Sequence, residues 1–342
     1  MKEREHLFDE LPPFEPSRRS MSSGPRRWRL WLIAALAIFL LIVWPAFAGF
    51  YTDWLWFQEV GYQTIFTTSL KAKILLGLSG LVLAAALFWL NIKLALHNSS
   101  KYGGGGYTFY IGNQPIAIAD AGRMLARLAL PIAIVIGFFI GGRCWSAWEL
   151  LLGYFYHVPF NQADPVLGYD ISFFFFKLPG LEFISGILLT MVLILLVSAA
   201  VVYISRAAIS FGAKLTIQGR SAGTAFSVEP SARAHLLSLV SALFLIIAWR
   251  TYLGRPELLF SSSATVAGAG YADIHARLPL LMAEIAVCVL ISLMAIAGIF
   301  VRRINLVVWG LVLYGAVLVA GFLYPAFVQR FSVAPNELAK ET

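Results

Sequence analysis

Seven separate apolar runs, most of them about the length that crosses a bilayer, dominate this 342-residue chain. They read Leu30 to Phe50, Ile74 to Ile92, Leu128 to Gly142, Phe183 to Tyr203, His235 to Leu253, Leu278 to Phe300 and Ile304 to Tyr324. A helix rises about 1.5 Å per residue, so about 20 apolar residues cover a hydrocarbon core about 30 Å thick while closing their own backbone hydrogen bonds. The runs predict an all-α membrane protein: a bundle of about seven transmembrane helices, with interfacial helices in the outer loops. Only 13% of the residues are charged and 59% are hydrophobic, whereas soluble domains carry about 25% charged residues.

Orientation follows from the basic residues. Seven of them precede the first run, and positive flanks stay in the cytoplasm. Seven spans then leave 17 of the 26 Lys and Arg on the inner side. Dropping the third run gives nearly the same asymmetry, so the count does not fix the number of spans. That run, Leu128 to Gly142, is the shortest, and it reaches across only if Arg123 and Arg127 extend toward the inner headgroups. Trp145 and Trp148 mark its outer end as an aromatic belt, and Gly137 with Gly141 forms a small-xxx-small pair that admits a close helix neighbour. Seven spans place the N-terminus in the cytoplasm and the C-terminus outside the plasma membrane. The net charge of +8 is spread beside apolar runs, not gathered into one groove-sized patch. It therefore suits anionic lipid at the inner face of the bilayer, and not nucleic acid.

The expected domain plan is a disordered cytoplasmic tail over 1–25, rich in charge, Ser and Pro, a seven-span transmembrane domain over 26–327 and an extracytoplasmic C-terminal stub over 328–342. Ala46-Phe47-Ala48 before Gly49 imitates a signal cleavage site, but the apolar stretch ahead of it is longer than the roughly 7 to 15 residues of a signal core and reads as an uncleaved anchor. The inner segment Asn98 to Gly106 is flexible linker chemistry without the Lys-Ser/Thr ending of a phosphate loop. The inner segment Arg206 to Arg233 is expected to lie along the headgroups. Outside, Tyr51 to Tyr62 (YTDWLWFQEVGY) and Trp145 to Tyr156 are expected to rest in the interface. Trp54, Trp56, Trp145 and Trp148 are the candidate outer interaction surface, either a lipid-facing belt or a docking face for envelope proteins.

Four outer stretches carry a resemblance: YTDWLWFQEVGY, DPVLGYDISFFFFKLPGLEF from Asp164, GAGYADIHARLP from Gly268 and YPAFVQRFSVAPNELAKET from Tyr324. They resemble signatures of the bacterial uncharacterised protein family 0182. The resemblance implies about seven N-terminal spans followed by a large extracytoplasmic domain, with no established activity and no catalytic residues to carry over. The chain departs from the pattern in stopping at Thr342, in reading Ala272 between Tyr271 and Asp273, and in placing Ala334 before Pro335-Asn336-Glu337.

Chemistry is sparse. Glu284, six residues past Leu278, lies about 9 Å inside the sixth run. Such intramembrane carboxyls are costly and default to functional hypotheses. Arg250, near the outer end of the fifth run, is the candidate partner for an intramembrane ion pair; a protonated or water-linked carboxyl and a transport role are the alternatives. Asp273 with His275, and His157, Asp164 and Asp170, match no zinc or calcium signature, and Asp164-Pro165 with Gly168 reads as turn chemistry. His97 and His235 read as interfacial residues. Cys144 and Cys288 read as reduced structural thiols. No catalytic motif, metal site or cofactor loop stands out, and no internal repeat is read. The expected function is a non-catalytic membrane platform that presents outer loops to envelope partners, with a transporter or channel using Glu284 as the alternative.

Overall fold

The computed structural model describes residues 26–99, 108–111, 114–117, 121–165, 167–206, 208–213, 224–260, 268–301 and 305–336. The tail over 1–25 and most of the Asn98 to Gly106 linker lie outside the described residues. The chain divides into two compact units, residues 1–68 and 69–342.

In the first unit, α1 (Arg26–Glu59) is 34 residues long, about 51 Å, and turns at Gly61 (φ 79°) into α2 (Gln63–Ser99). The stretch Tyr51 to Tyr62, expected to rest in the interface, is mostly the end of α1. Nothing between Phe50 and Glu59 breaks a helix. The rings of Phe50, Trp54 and Phe57 each stand 5.5 Å from the Phe66 ring on the start of α2. Tertiary packing of that aromatic face extends the helix beyond its apolar run.

The second unit holds the rest of α2 and six further helices: α3 (Ala121–Ser146), α4 (Trp148–Tyr156), α5 (Leu178–Ser205), α6 (Pro230–Leu253), α7 (Leu278–Val301) and α8 (Asn305–Val328). Among the described residues seven helical segments are long and apolar enough to cross a bilayer, the helical membrane-protein architecture that the apolar runs predict. The third of them, Ala126–Ser146, has 21 residues, and α3 as a whole reaches about 39 Å.

The α2–α3 pairing rests on glycine. A Cβ at Gly141 would lie 2.6 Å from the Gly77 carbonyl oxygen, and one at Gly137 would lie 2.7 Å from that of Leu81. The backbones therefore meet directly, as the small-xxx-small pair predicts. One buried cluster joins α2, α3, α5 and the start of α6 through Ile92, Ala95, Ala133, Ala199, Val202 and Ala232. A second, around Phe244, Ala248, Cys288 and Ile291, joins α6 to α7.

Two antiparallel hairpins interrupt the helical pattern: β1 (Thr108–Ile111) with β2 (Gln114–Ala117), and β3 (Ile209–Ala213) with β4 (Thr224–Val228). The second lies within the inner segment Arg206 to Arg233. The first has a signal in the sequence, since Gly112-Asn113 between two apolar runs is a two-residue hairpin pattern.

A repeat also emerges, contrary to the sequence reading. Gly168-Tyr169-Asp170-Ile171 leads to Lys177-Leu178-Pro179, and Gly270-Tyr271-Ala272-Asp273-Ile274 leads to Arg277-Leu278-Pro279. Each leads through one π-helical turn, Phe173–Lys177 or Asp273–Arg277, into α5 or α7. The Leu178 and Leu278 amides donate to Phe173 and Asp273, five residues back. The proline that follows each leucine has no N–H and would crowd the carbonyl four residues back, and widening that turn makes room for the ring. Unequal spacing before the basic residue hides the match in the sequence. A third π-helical turn, Gln329–Val333, follows α8, so the expected C-terminal stub begins as a continuation of that helix.

Candidate functional site

The α6–α7 seam is written in α6 at Ser241, Phe244, Ala248 and Thr251, a 3-4-3 spacing that keeps four residues on one face. The Ser241 and Ser292 hydroxyls share a buried hydrogen bond of 2.7 Å, and Phe244 and Ala248 pack on Cys288 and Ile291. Thr251 completes the seam, where its hydroxyl donates to Glu284 Oε1 at 3.3 Å. From the other side, the Tyr314 hydroxyl of α8 donates to the same oxygen at 3.3 Å. Glu284 is thus half-buried between two neutral donors.

The expected pairing of Glu284 with Arg250 is not formed: the two are not within ion-pair distance. Successive helical residues point about 100° apart, so Arg250 and Thr251 cannot both face α7. Arg250 turns to α5. Its Nη1 lies 3.2 Å from where a Cβ of Gly186 would sit. Thr251 and Tyr314 were not singled out from the sequence, although the seam spacing signals Thr251.

At the opposite end of the same helices, a second polar network ties α2, α5 and α6 together. Asn91 Nδ2 donates to the Leu195 carbonyl and the Ser198 hydroxyl, both at 3.1 Å. The fully buried Tyr203 hydroxyl accepts from Asn98 Nδ2 at 3.2 Å and shares a 2.8 Å hydrogen bond with His235 Nδ1. His235, expected as an interfacial residue, is therefore a packing residue in this network. These bonds satisfy polar groups that would otherwise be costly between helices.

The turn ahead of α5, the end of α6 and the turn ahead of α7 form an interlocked rim. Asp164 Oδ2 accepts the Leu167 amide at 2.6 Å, and Asp170 Oδ1 accepts the Phe160 and Ser172 amides at 3.1 and 2.8 Å. Hydrogen bonding from Ser172, then from the backbone of this loop, holds the Asp170 carboxyl down at about 2. The Tyr169 hydroxyl meets that of Tyr252 at 2.9 Å, which raises the Tyr169 phenol above its ordinary range. The Arg255 guanidinium sits 3.7 Å over the Tyr252 ring. Around the second π-helical turn, Asp273 accepts the Gly270 amide and lies 3.9 Å from Arg277, while the His275 ring stacks on Tyr271. His157 Nδ1 lies 3.0 Å from the Tyr154 carbonyl oxygen. Among the described residues no three His, Cys, Asp or Glu side chains are grouped to hold a metal.

The four candidate tryptophans divide between the two units. In the first, Trp54 packs edge-on against Phe66, and Trp56 is exposed and touches Phe57. In the second, Trp145 ends α3 beside Gly77, and Trp148 starts α4 with the Lys73 ammonium 5.0 Å over its ring. The helical spacing expected through Trp145 to Tyr156 is broken at Ala147, between α3 and α4.

Residues 30–342 match the family described as Uncharacterised protein family (UPF0182). The chain is 34% identical to the UPF0182 protein of Geobacter sp. strain M21, over 91% of this chain and 33% of that one. It is 31% identical to the UPF0182 protein of Cupriavidus necator, over 96% and 34%, and 30% identical to that of Corynebacterium efficiens, over 97% and 32%. It spans about a third of the length of these curated relatives. No solved structure matches. On this evidence the chain belongs to the uncharacterised protein family 0182.

Proposed function

We propose that the chain is a non-catalytic platform of the plasma membrane, with a cytoplasmic N-terminus and an extracytoplasmic C-terminus, that presents its outer rim to envelope proteins. The observation that supports this reading best is the rim itself. The loop before α5 is tied to the end of α6 by Tyr169 and Tyr252, and Arg255 extends the tie to Met282 of α7 at 3.9 Å. A surface fixed at three helix ends loses little freedom when a partner docks. Basic residues on the inner side hold the platform against anionic headgroups, at about 1 kcal/mol each. Photo-crosslinkers at the exposed Val158 and Phe160 of the loop before α5 and at the inner-side Val201 test it in cells. Crosslinks to envelope proteins from the rim positions alone are expected; adducts only from Val201 would overturn the reading.

A second reading, transport through Glu284, is favoured by the neutral partners of that carboxyl, because a group held by two hydroxyls exchanges protons or cations without breaking an ion pair. Proton or cation flux into proteoliposomes that Glu284→Gln abolishes, without loss of folded protein, would select transport over the platform.

A further inference from the structure

An open groove of about 510 Å³ runs along the second unit between α3, α4 and α5. Its volume is within the roughly 300–1,000 Å³ of small-molecule sites. Phe138 and Phe139 of α3, Leu150 of α4 and Phe183 of α5 form its apolar walls, and Arg143 stands among them. Both phenylalanines are 69% exposed. Along α3, Arg143 comes four and five residues after them, about 6 to 7.5 Å nearer the helix end. It lies three residues before Ser146, where the apolar segment stops. The groove is therefore cationic at headgroup level and aromatic at acyl-chain level. Among the described residues no carboxylate comes within ion-pair distance of Arg143. A second cation, Lys73, stands over Trp148 at the start of the helix that supplies Leu150.

From this layering we infer that the groove binds an anionic glycerophospholipid of the bilayer, its phosphate on Arg143 and one acyl chain along Phe138, Phe139 and Phe183. A guanidinium matches phosphate with paired donors, and a buried acyl chain gains about 0.8 kcal/mol per methylene relative to water, so the bilayer around the groove is the competitor that sets selectivity. Selectivity accordingly lies in the charge. Gly142 lines the same groove and nothing lies within 4 Å of its missing Cβ, so a larger side chain there has room to enter the groove.

The test is native mass spectrometry of the full chain released from nanodiscs of mixed phosphatidylglycerol and phosphatidylcholine. The wild type is expected to retain one phosphatidylglycerol in preference to phosphatidylcholine. Arg143→Gln is expected to lower that preference roughly tenfold, the scale of a charged hydrogen bond, while Arg143→Lys keeps most of it and Gly142→Leu lowers retention of both lipids. A photoreactive phosphatidylglycerol on the unaltered protein is expected to label residues between Phe138 and Leu150, which keeps the proposal testable if a variant fails to fold. Equal retention of the two lipids by the wild type, labelling elsewhere, or retention unchanged in Arg143→Gln would overturn it. Displacement of the lipid by excess inorganic phosphate would also overturn it, by revealing a free-anion site.

Discussion

At residue scale, one position along a helix separates an ion pair from a hydroxyl contact. Arg250 and Glu284 are both at plausible depths, and charge alone pairs them; the facing of Thr251 is fixed by the phase of Ser241, Phe244 and Ala248, which depth does not reveal. A double-mutant cycle reads the difference. Thr251→Val with Glu284→Gln is expected to show a coupling of about 0.5–3 kcal/mol in detergent unfolding, whereas Arg250→Gln with Glu284→Gln is expected to add within about 0.5 kcal/mol. Asp170 gives a prediction in pH. Its folded-state value is about 2, below the ordinary aspartate value of about 3.9, so its support of the Phe160–Ser172 loop is complete above pH 4 and is lost as pH falls through 2. Hydrogen-exchange protection of the Phe160 and Ser172 amides is expected to follow that curve in the wild type, and to be weak already at pH 5 in Asp170→Asn.

Among the elements, glycine spacing was the most legible feature of the packing. Gly137 and Gly141 were readable as a contact face, although not which helix would fill it; the complementary Gly77 and Gly80 on α2 supply the answer. Gly141→Ala pushes a methyl into the α2 backbone and is expected to cost about 1–3 kcal/mol. Gly315→Ala in α8 meets nothing within 4 Å and is expected to be neutral or slightly stabilising. Unfolding of both variants in mixed micelles separates the two outcomes. The seven apolar runs mapped onto seven helical segments because backbone self-satisfaction leaves a spanning chain little choice. Helix ends were less legible. α1 outruns its apolar run because aromatic contacts with Phe66 at the start of α2, invisible to hydropathy, continue to bury surface beyond it. The π-helical turns escaped notice because their signal is a proline in the following helix.

For the whole molecule, parity is the consequence that is easiest to test. An odd number of spans puts the two termini on opposite sides of the membrane, so a fluorescent reporter that matures only in the cytoplasm is expected to light up at the N-terminus and stay dark at the C-terminus, with an exported phosphatase giving the reverse. Signal at both ends would remove one span, and the third is the first suspect on length. The matched Leu-Pro starts of α5 and α7 also bear on how the centre is assembled. Counted from Leu178 and Leu278, Glu182 is at +4 and Glu284 at +6, and two residues turn a helix by about 200°. Two rods begun from a common pattern thereby aim their acids along nearly opposite compass bearings. α6 stands between them: it receives the acid of α7 on Thr251, while its Arg250 reaches α5 at Gly186, one turn past Glu182.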